Sequence, residues 1–68
     1  MRQTDSELLE AFRRMHPTYT AKTLQRILGV SQTQSFRLLR EERMRPPERQ
    51  VVKIYVQMSA QERERYFP

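Results

Sequence analysis

The sequence contains no cysteine and only one histidine and one glycine in 68 residues. Without cysteine, a disulfide scaffold is excluded and a structural zinc site is not expected. No apolar run is long enough to cross a membrane, and the polar, acidic opening MRQTDSELLEAF lacks the apolar core of a signal peptide. These absences predict a cytoplasmic protein with no membrane association and no metal.

Residue combinations that support catalysis are also missing. The chain has no glycine-rich phosphate loop and no nucleophile with a plausible base, and its acids stand among arginines, where exposed ion pairs account for them. His16 precedes Pro17 and is expected to end a helix rather than act as a base. We therefore expect no enzymatic activity, no cofactor and no small-molecule ligand.

The chain is expected to form one domain, residues 1–68, because it has no internal repeat, low-complexity tract or flexible linker. At this length a single core provides only marginal stability, and self-association is one way to supplement it.

Positive charge is concentrated in the middle of the chain. The formal net charge is +5, and residues 21–45 account for +4 of it, whereas residues 1–20 are neutral. The basic residues of this middle segment are Lys22, Arg26, Arg37, Arg40, Arg43 and Arg45, against Glu41 and Glu42. A solvated helical face normally mixes the two signs, so this segregation favours a phosphate-binding surface.

Residues 20–40, TAKTLQRILGVSQTQSFRLLR, predict two short amphipathic helices joined by a tight turn. In the first helix, which Thr20 could cap, one apolar stripe is formed by Leu24, Ile27 and Leu28. Gly29 stands where a helix end requires a left-handed backbone. Ser31 and Gln34 then have capping-box spacing, so a second helix should begin at Gln32 and cross the first.

This stretch resembles the helix-turn-helix of bacterial and phage DNA-binding proteins, namely small repressors, Cro-like proteins and excisionase-type domains. The resemblance covers about 20 residues and includes the Leu-Gly-Val-Ser turn at 28–31. Gln25 departs from the small residue usual where the helices touch, and Ser35 departs from the usual apolar plug. Phe36 either lies exposed near DNA, where it could touch a thymine methyl group, or replaces Ser35 in the core; we favour the core position.

The resemblance implies that the second helix enters the major groove and that residues near its start face base edges. Glutamine can pair with adenine and arginine with guanine, each through two hydrogen bonds. The predicted base contacts are Gln32, Thr33, Gln34 and Arg37. Ordinary polar helix surface is the alternative for the glutamines. The predicted phosphate contacts, which position the protein on DNA, are Thr20, Lys22, Ser31, Arg40, Arg43 and Arg45.

The flanking segments predict three further helices. Thr4 and Glu7 have capping-box spacing before a helix over residues 5–15, and Ser59 and Glu62 have the same spacing at the start of a short helix through Tyr66. Residues 48–58 fit either a helix with a stripe of Val51, Ile54, Tyr55 and Met58, or an alternating strand. A strand would lack a partner within the chain, so we favour the helix. The expected fold is therefore all-α, with about five helices including a helix-turn-helix.

Residues 47–67 carry more apolar groups than one helix face needs, and they are the candidate dimerisation region. The predicted interface residues are Val52, Tyr55, Val56, Tyr66 and Phe67; closure of a small core is an equally good explanation for them. The expected function is that of a sequence-specific regulator of transcription, a repressor encoded by a phage, plasmid or bacterial chromosome, that binds double-stranded DNA as a homodimer. The alternative is a protein-binding inhibitor or adaptor with a basic docking surface.

Overall fold

The computed structural model describes residues 3–67, and this part of the chain contains five α-helices and no strand. Their bounds are α1 Asp5–Met15, α2 Thr20–Leu28, α3 Gln32–Glu41, α4 Pro46–Gln57 and α5 Ala60–Tyr66. The prediction of an all-α fold of about five helices is confirmed, as is the helical alternative for residues 48–58. None of the helices described combines the length and apolar character needed to span a lipid bilayer.

Most helix ends form as the sequence predicts. The Thr4 hydroxyl accepts a hydrogen bond from the Glu7 backbone N–H at 3.1 Å, and the Glu7 carboxylate accepts from the Thr4 N–H at 3.0 Å. Ser59 and Glu62 form the same reciprocal pair at the start of α5. Each pair satisfies two N–H groups that would otherwise lack a partner within the helix, so the predicted capping boxes are confirmed.

The start of α2 differs from the prediction. Thr20 is the first residue of the helix and not its cap; Tyr19 takes the cap position without a side-chain hydrogen bond. The Thr20 hydroxyl instead donates to the backbone carbonyl of His16. The side chain therefore secures the loop between α1 and α2.

The core lies where α1, α2, α3 and α4 meet. Among the described residues it consists of seven buried side chains: Leu8, Leu9, Phe12, Leu24, Leu38, Val52 and Tyr55. Helix α1 packs on α4, and α2 packs on both α3 and α4. Helix α5 contributes no buried residue, so it lies outside the central packing.

The rotation of α4 about its axis is not the one predicted. Val52 and Tyr55 are buried, whereas Val51 is half-buried and Ile54 is exposed. Glu48, Val52 and Tyr55 follow one another at i, i+4 and i+7 and form the inward face. The apolar pattern permitted two overlapping faces, and packing against α1 and α2 selected the one that contains Val52.

Polar contacts join α1 to distant parts of the chain. The Asp5 carboxylate accepts hydrogen bonds from the Met44 backbone N–H at 2.9 Å and from the Arg49 side chain. The Arg13 guanidinium donates to the Leu39 carbonyl at 2.6 Å. Helix α1 thus holds the end of α3 and the loop that follows it in place.

Replacement of Gly29 by alanine is expected to lower the free energy of unfolding by about 1 kcal/mol. The Gly29 φ angle is +67°, in the left-handed region, and an added Cβ would meet no atom within 4 Å. Backbone strain is therefore the only cost of the side chain. Urea denaturation measures it, and Gly29→Asn should lose less because asparagine tolerates this conformation. Equal stability of Gly29→Ala and the wild type would contradict this explanation.

An aromatic cluster joins the end of α1 to α4 and to the last described residues. Tyr55 lies at its centre, with ring centroids 5.4 Å from Phe12, 5.6 Å from His16 and 5.3 Å from Phe67. The Tyr55 hydroxyl and His16 Nε2 are 2.6 Å apart and share a hydrogen bond. The Arg63 guanidinium lies 5.7 Å from the centroid of the Tyr55 ring. The cluster therefore attaches the C-terminal part of the chain to the core.

Stability is expected to decrease as the pH falls below about 6.5, the ordinary pKa of histidine. Burial, followed by the positive charges of Arg63 and Arg26, lowers the pKa of His16 in the folded state. Folding therefore favours neutral His16; the full contribution is present above the unfolded-state pKa and is lost as the pH falls through the folded-state pKa. Urea denaturation at about pH 7.5 and pH 5.5 measures this loss, which should be smaller in His16→Gln. A variant with the wild-type pH dependence would show that other groups cause it.

Candidate nucleic-acid interface

Helices α2 and α3 form a compact unit around the turn at residues 29–31. The Gly29 N–H donates to the Gln25 carbonyl at 2.9 Å and ends α2 in a left-handed conformation. The Ser31 hydroxyl then accepts from the Gln34 N–H at 3.1 Å and caps α3. The turn residues predicted from the sequence thus bring the second helix across the first within three residues.

Ser35 and Leu38 determine which face of α3 points into the protein. Both side chains are buried, and the Ser35 hydroxyl donates to the Gln32 carbonyl at 2.8 Å. This hydrogen bond satisfies the hydroxyl within the helix, which allows a serine to occupy a core position. Helix α3 consequently has the rotation expected for the motif, although Ser35 is small and polar.

The favoured prediction that Phe36 fills the core is wrong. Its side chain is 53% exposed, because the burial of Ser35 and Leu38 turns the neighbouring position outwards. No other aromatic ring of residues 3–67 stacks on it. The outward position, the alternative that the motif implied, is the one observed.

The four predicted base contacts do not have the same surroundings. Gln32, Thr33 and Arg37 are exposed on the outer side of α3. Gln34 is half-buried at the edge of this surface, and its side chain lies near Glu48, whose pKa it helps to lower. Three of these residues are thus available to a partner, whereas Gln34 is also held by α4.

Glu48 is the site residue that the sequence analysis missed. Its side chain is only 5% exposed, and its carboxylate accepts hydrogen bonds from the Arg45 backbone N–H at 2.9 Å and from Arg45 Nη2 at 3.1 Å. Burial by itself would raise the pKa of Glu48, but hydrogen bonds from Arg45, its charge and a hydrogen bond from Gln34 lower that pKa overall. One ionised carboxylate therefore binds a predicted phosphate contact, Arg45, and lies near a predicted base contact, Gln34.

A weak sequence signal for Glu48 exists. It stands at the third helical position after the Pro46–Pro47 start, where an acid commonly bonds the cap N–H. The spacing identifies the hydrogen bond to the Arg45 backbone. It does not identify the proximity of Gln34, which depends on where the fold places the start of α4 relative to α3.

The predicted phosphate contacts also divide into two groups. Lys22, Arg40 and Arg43 are exposed, and within residues 3–67 none of them has an acidic partner. The other three have partners inside the protein: Thr20 bonds to His16, Ser31 to Gln34 and Arg45 to Glu48. Lys22, Arg40 and Arg43 are thus the cations most readily available to an anionic partner.

A cation of α1 offsets one of the two acids in the basic segment. The Glu42 carboxylate accepts from the Ser6 hydroxyl at 2.8 Å and lies 3.4 Å from Arg13 Nη1. One of the two acids in the basic segment is therefore paired outside it, with a cation of α1.

Helices α1, α4 and α5 each carry an acid in the first turn, whereas α2 and α3 carry none. A first-turn acid offsets the partial positive charge at the start of a helix. In α2 and α3, no first-turn acid offsets this partial charge. Their starts therefore add to the positive potential produced by the basic side chains.

The predicted dimer residues also fall into two groups, one buried in the core and one at least partly exposed. Val52 and Tyr55 belong to the core, so the prediction that they form an intermolecular surface does not agree with their burial. Val56 and Phe67 are half-buried against the core, and Tyr66 is 61% exposed. The small domain uses most of these apolar groups to complete its own core.

The α2–turn–α3 arrangement is compatible with the helix-turn-helix that the sequence resembles. No model of a known protein family matches the chain, and no curated protein or solved structure is significantly similar to it. Function is therefore inferred from the residues and their arrangement.

Proposed function

We propose that the protein is a sequence-specific regulator of transcription that binds double-stranded DNA in the cytoplasm, with α2–turn–α3 acting as a helix-turn-helix. Helix α3 lies in the major groove, where Gln32, Thr33 and Arg37 contact base edges. Lys22, Arg40 and Arg43 contact phosphates on either side. The regulator acts as a repressor by occupying a promoter.

The observation that carries this proposal is the composition of the exposed face of α3. Gln32, Thr33, Arg37 and Arg40 are all exposed, and none of these side chains has an acidic partner among residues 3–67. Amide, hydroxyl and guanidinium groups are the side-chain chemistry that recognises base edges. The start of α3 has no acid, and unpaired cations lie near it. These two features favour a polyanion as the partner.

Recognition by a homodimer completes the proposal. A two-fold dimer would place two copies of α3 about 34 to 36 Å apart, one helical turn of DNA, and would select an inverted repeat. The apolar side chains left exposed for such an interface include Ile54 on α4 and Tyr66 on α5.

Selection from a random pool of double-stranded DNA tests the proposal. The purified protein should enrich an inverted repeat at moderate salt, where non-specific phosphate binding is weak. Folded protein that enriches no sequence would overturn the proposal and favour the alternative of a protein partner for the basic surface. An enriched site without two-fold symmetry would retain DNA recognition and exclude the dimer.

A further inference from the structure

We propose that Phe36 is a specificity-determining residue that contacts the 5-methyl group of a pyrimidine in the major groove. The inference rests on the proposed function and adds an apolar contact to the polar ones. Thymine carries this methyl group, and 5-methylcytosine presents the same group on a different base. The chemistry recognised is therefore an apolar methyl group on a base edge.

The position of Phe36 within α3 supports this role. Phe36 lies four residues after Gln32, three after Thr33 and four before Arg40. Side chains at these spacings are neighbours on one helix surface. All four are exposed. A base edge that contacts Gln32 or Thr33 would bring the adjacent base pair close to the Phe36 ring.

The surroundings of Phe36 explain why an apolar partner is needed. The ring is 53% exposed, belongs to no core cluster of the described residues and stands among polar and basic side chains. Neither packing nor capping accounts for an aromatic residue there, since Ser35 fills the inward position. Contact with a methyl group would remove apolar area of both partners from water, which is the usual source of affinity between such groups.

The test uses duplexes of the site selected from the random pool, with Kd measured by fluorescence anisotropy at fixed salt. Each thymine is replaced in turn by uracil, which lacks only the methyl group, and each cytosine by 5-methylcytosine. For the wild-type protein, removal of the single methyl group that faces Phe36 should weaken binding about fourfold. If the base that faces Phe36 is cytosine, addition of one methyl group should strengthen binding to a similar extent. In Phe36→Ala, the same base changes should have no effect.

Two further variants make the result specific. Phe36→Leu retains an apolar side chain and should keep part of the methyl dependence. Tyr19→Ala removes an exposed aromatic ring that lies outside α3 and should keep all of the methyl dependence. Thermal unfolding checks that each variant is folded, which is expected because both rings are largely exposed.

Two outcomes would overturn the inference while leaving the proposed function intact. In the first, the wild-type protein binds the enriched site equally well with and without 5-methyl groups on the pyrimidines of that site. In the second, Phe36→Ala shows the same methyl dependence as the wild type. Failure to enrich any duplex would overturn the proposed function and this inference together.

Discussion

Phe12→Ala is expected to lower the free energy of unfolding by about 3 to 5 kcal/mol and to leave a large part of the protein unfolded at room temperature. Phe12 is fully buried, and its ring lies 5.2 Å from His16 and 5.4 Å from Tyr55, measured between ring centroids. A domain of this size has about 3 to 10 kcal/mol of stability in total. One cavity at this position therefore removes most or all of it.

Urea denaturation followed by circular dichroism measures this loss. Tyr19→Ala is the matched control, because it also deletes an aromatic ring but at a site that is largely exposed and makes no side-chain cap hydrogen bond, where the change should stay within about 0.5 kcal/mol. A Phe12→Ala protein with a midpoint close to that of Tyr19→Ala would show that α1 is not packed on α4 through this residue.

Combined replacement of Lys22, Arg40 and Arg43 by alanine is expected to weaken DNA binding about a hundredfold near physiological salt, on every sequence tested. Each side chain that neutralises a phosphate releases about one counterion on binding. The slope of log affinity against log salt should therefore decrease by about three. All three residues are exposed and lack ion pairs among the described residues, so the fold should be retained.

Two other variants distinguish a general effect of net positive charge from specific contacts made by the α2–α3 unit. Arg65→Ala removes an exposed cation from α5 and should change the salt slope little. Arg37→Ala should instead relax the preference at one base pair, which corresponds to about 1 to 3 kcal/mol of discrimination. If the triple variant and Arg65→Ala behave alike, the cations of the α2–α3 unit have no special role in DNA binding.

Local signals were sufficient for the helices themselves. Thr4 with Glu7 and Ser59 with Glu62 predicted two helix starts correctly, and Gly29 predicted the end of α2. These features act within a few residues, through hydrogen bonds and backbone conformation that do not depend on the rest of the fold. The same signals failed at Thr20, where a hydroxyl had two possible partners and bonded to the His16 carbonyl.

The candidate interface could be predicted only in part. The sequence identified the basic segment and the residues along α3, because their order and charge are visible in it. It did not identify Glu48, which lies 14 residues beyond Gln34 in the chain and comes near it only because the fold places the start of α4 there. It also could not show that Glu42 pairs with Arg13 of α1, a contact across 29 residues.

The sequence by itself thus determined the helices, their order, the tight turn before α3 and the concentration of positive charge. Only the tertiary structure decided how α3 and α4 are rotated, and hence that Ser35 and Val52 are buried while Phe36 is exposed. The reason is physical: helical periodicity defines several overlapping faces, and the face that is buried is the one whose shape and hydrogen bonds fit the neighbouring helices. Ser35 meets this condition because its hydroxyl bonds within its own helix, so Phe36 is left on the outer surface of α3.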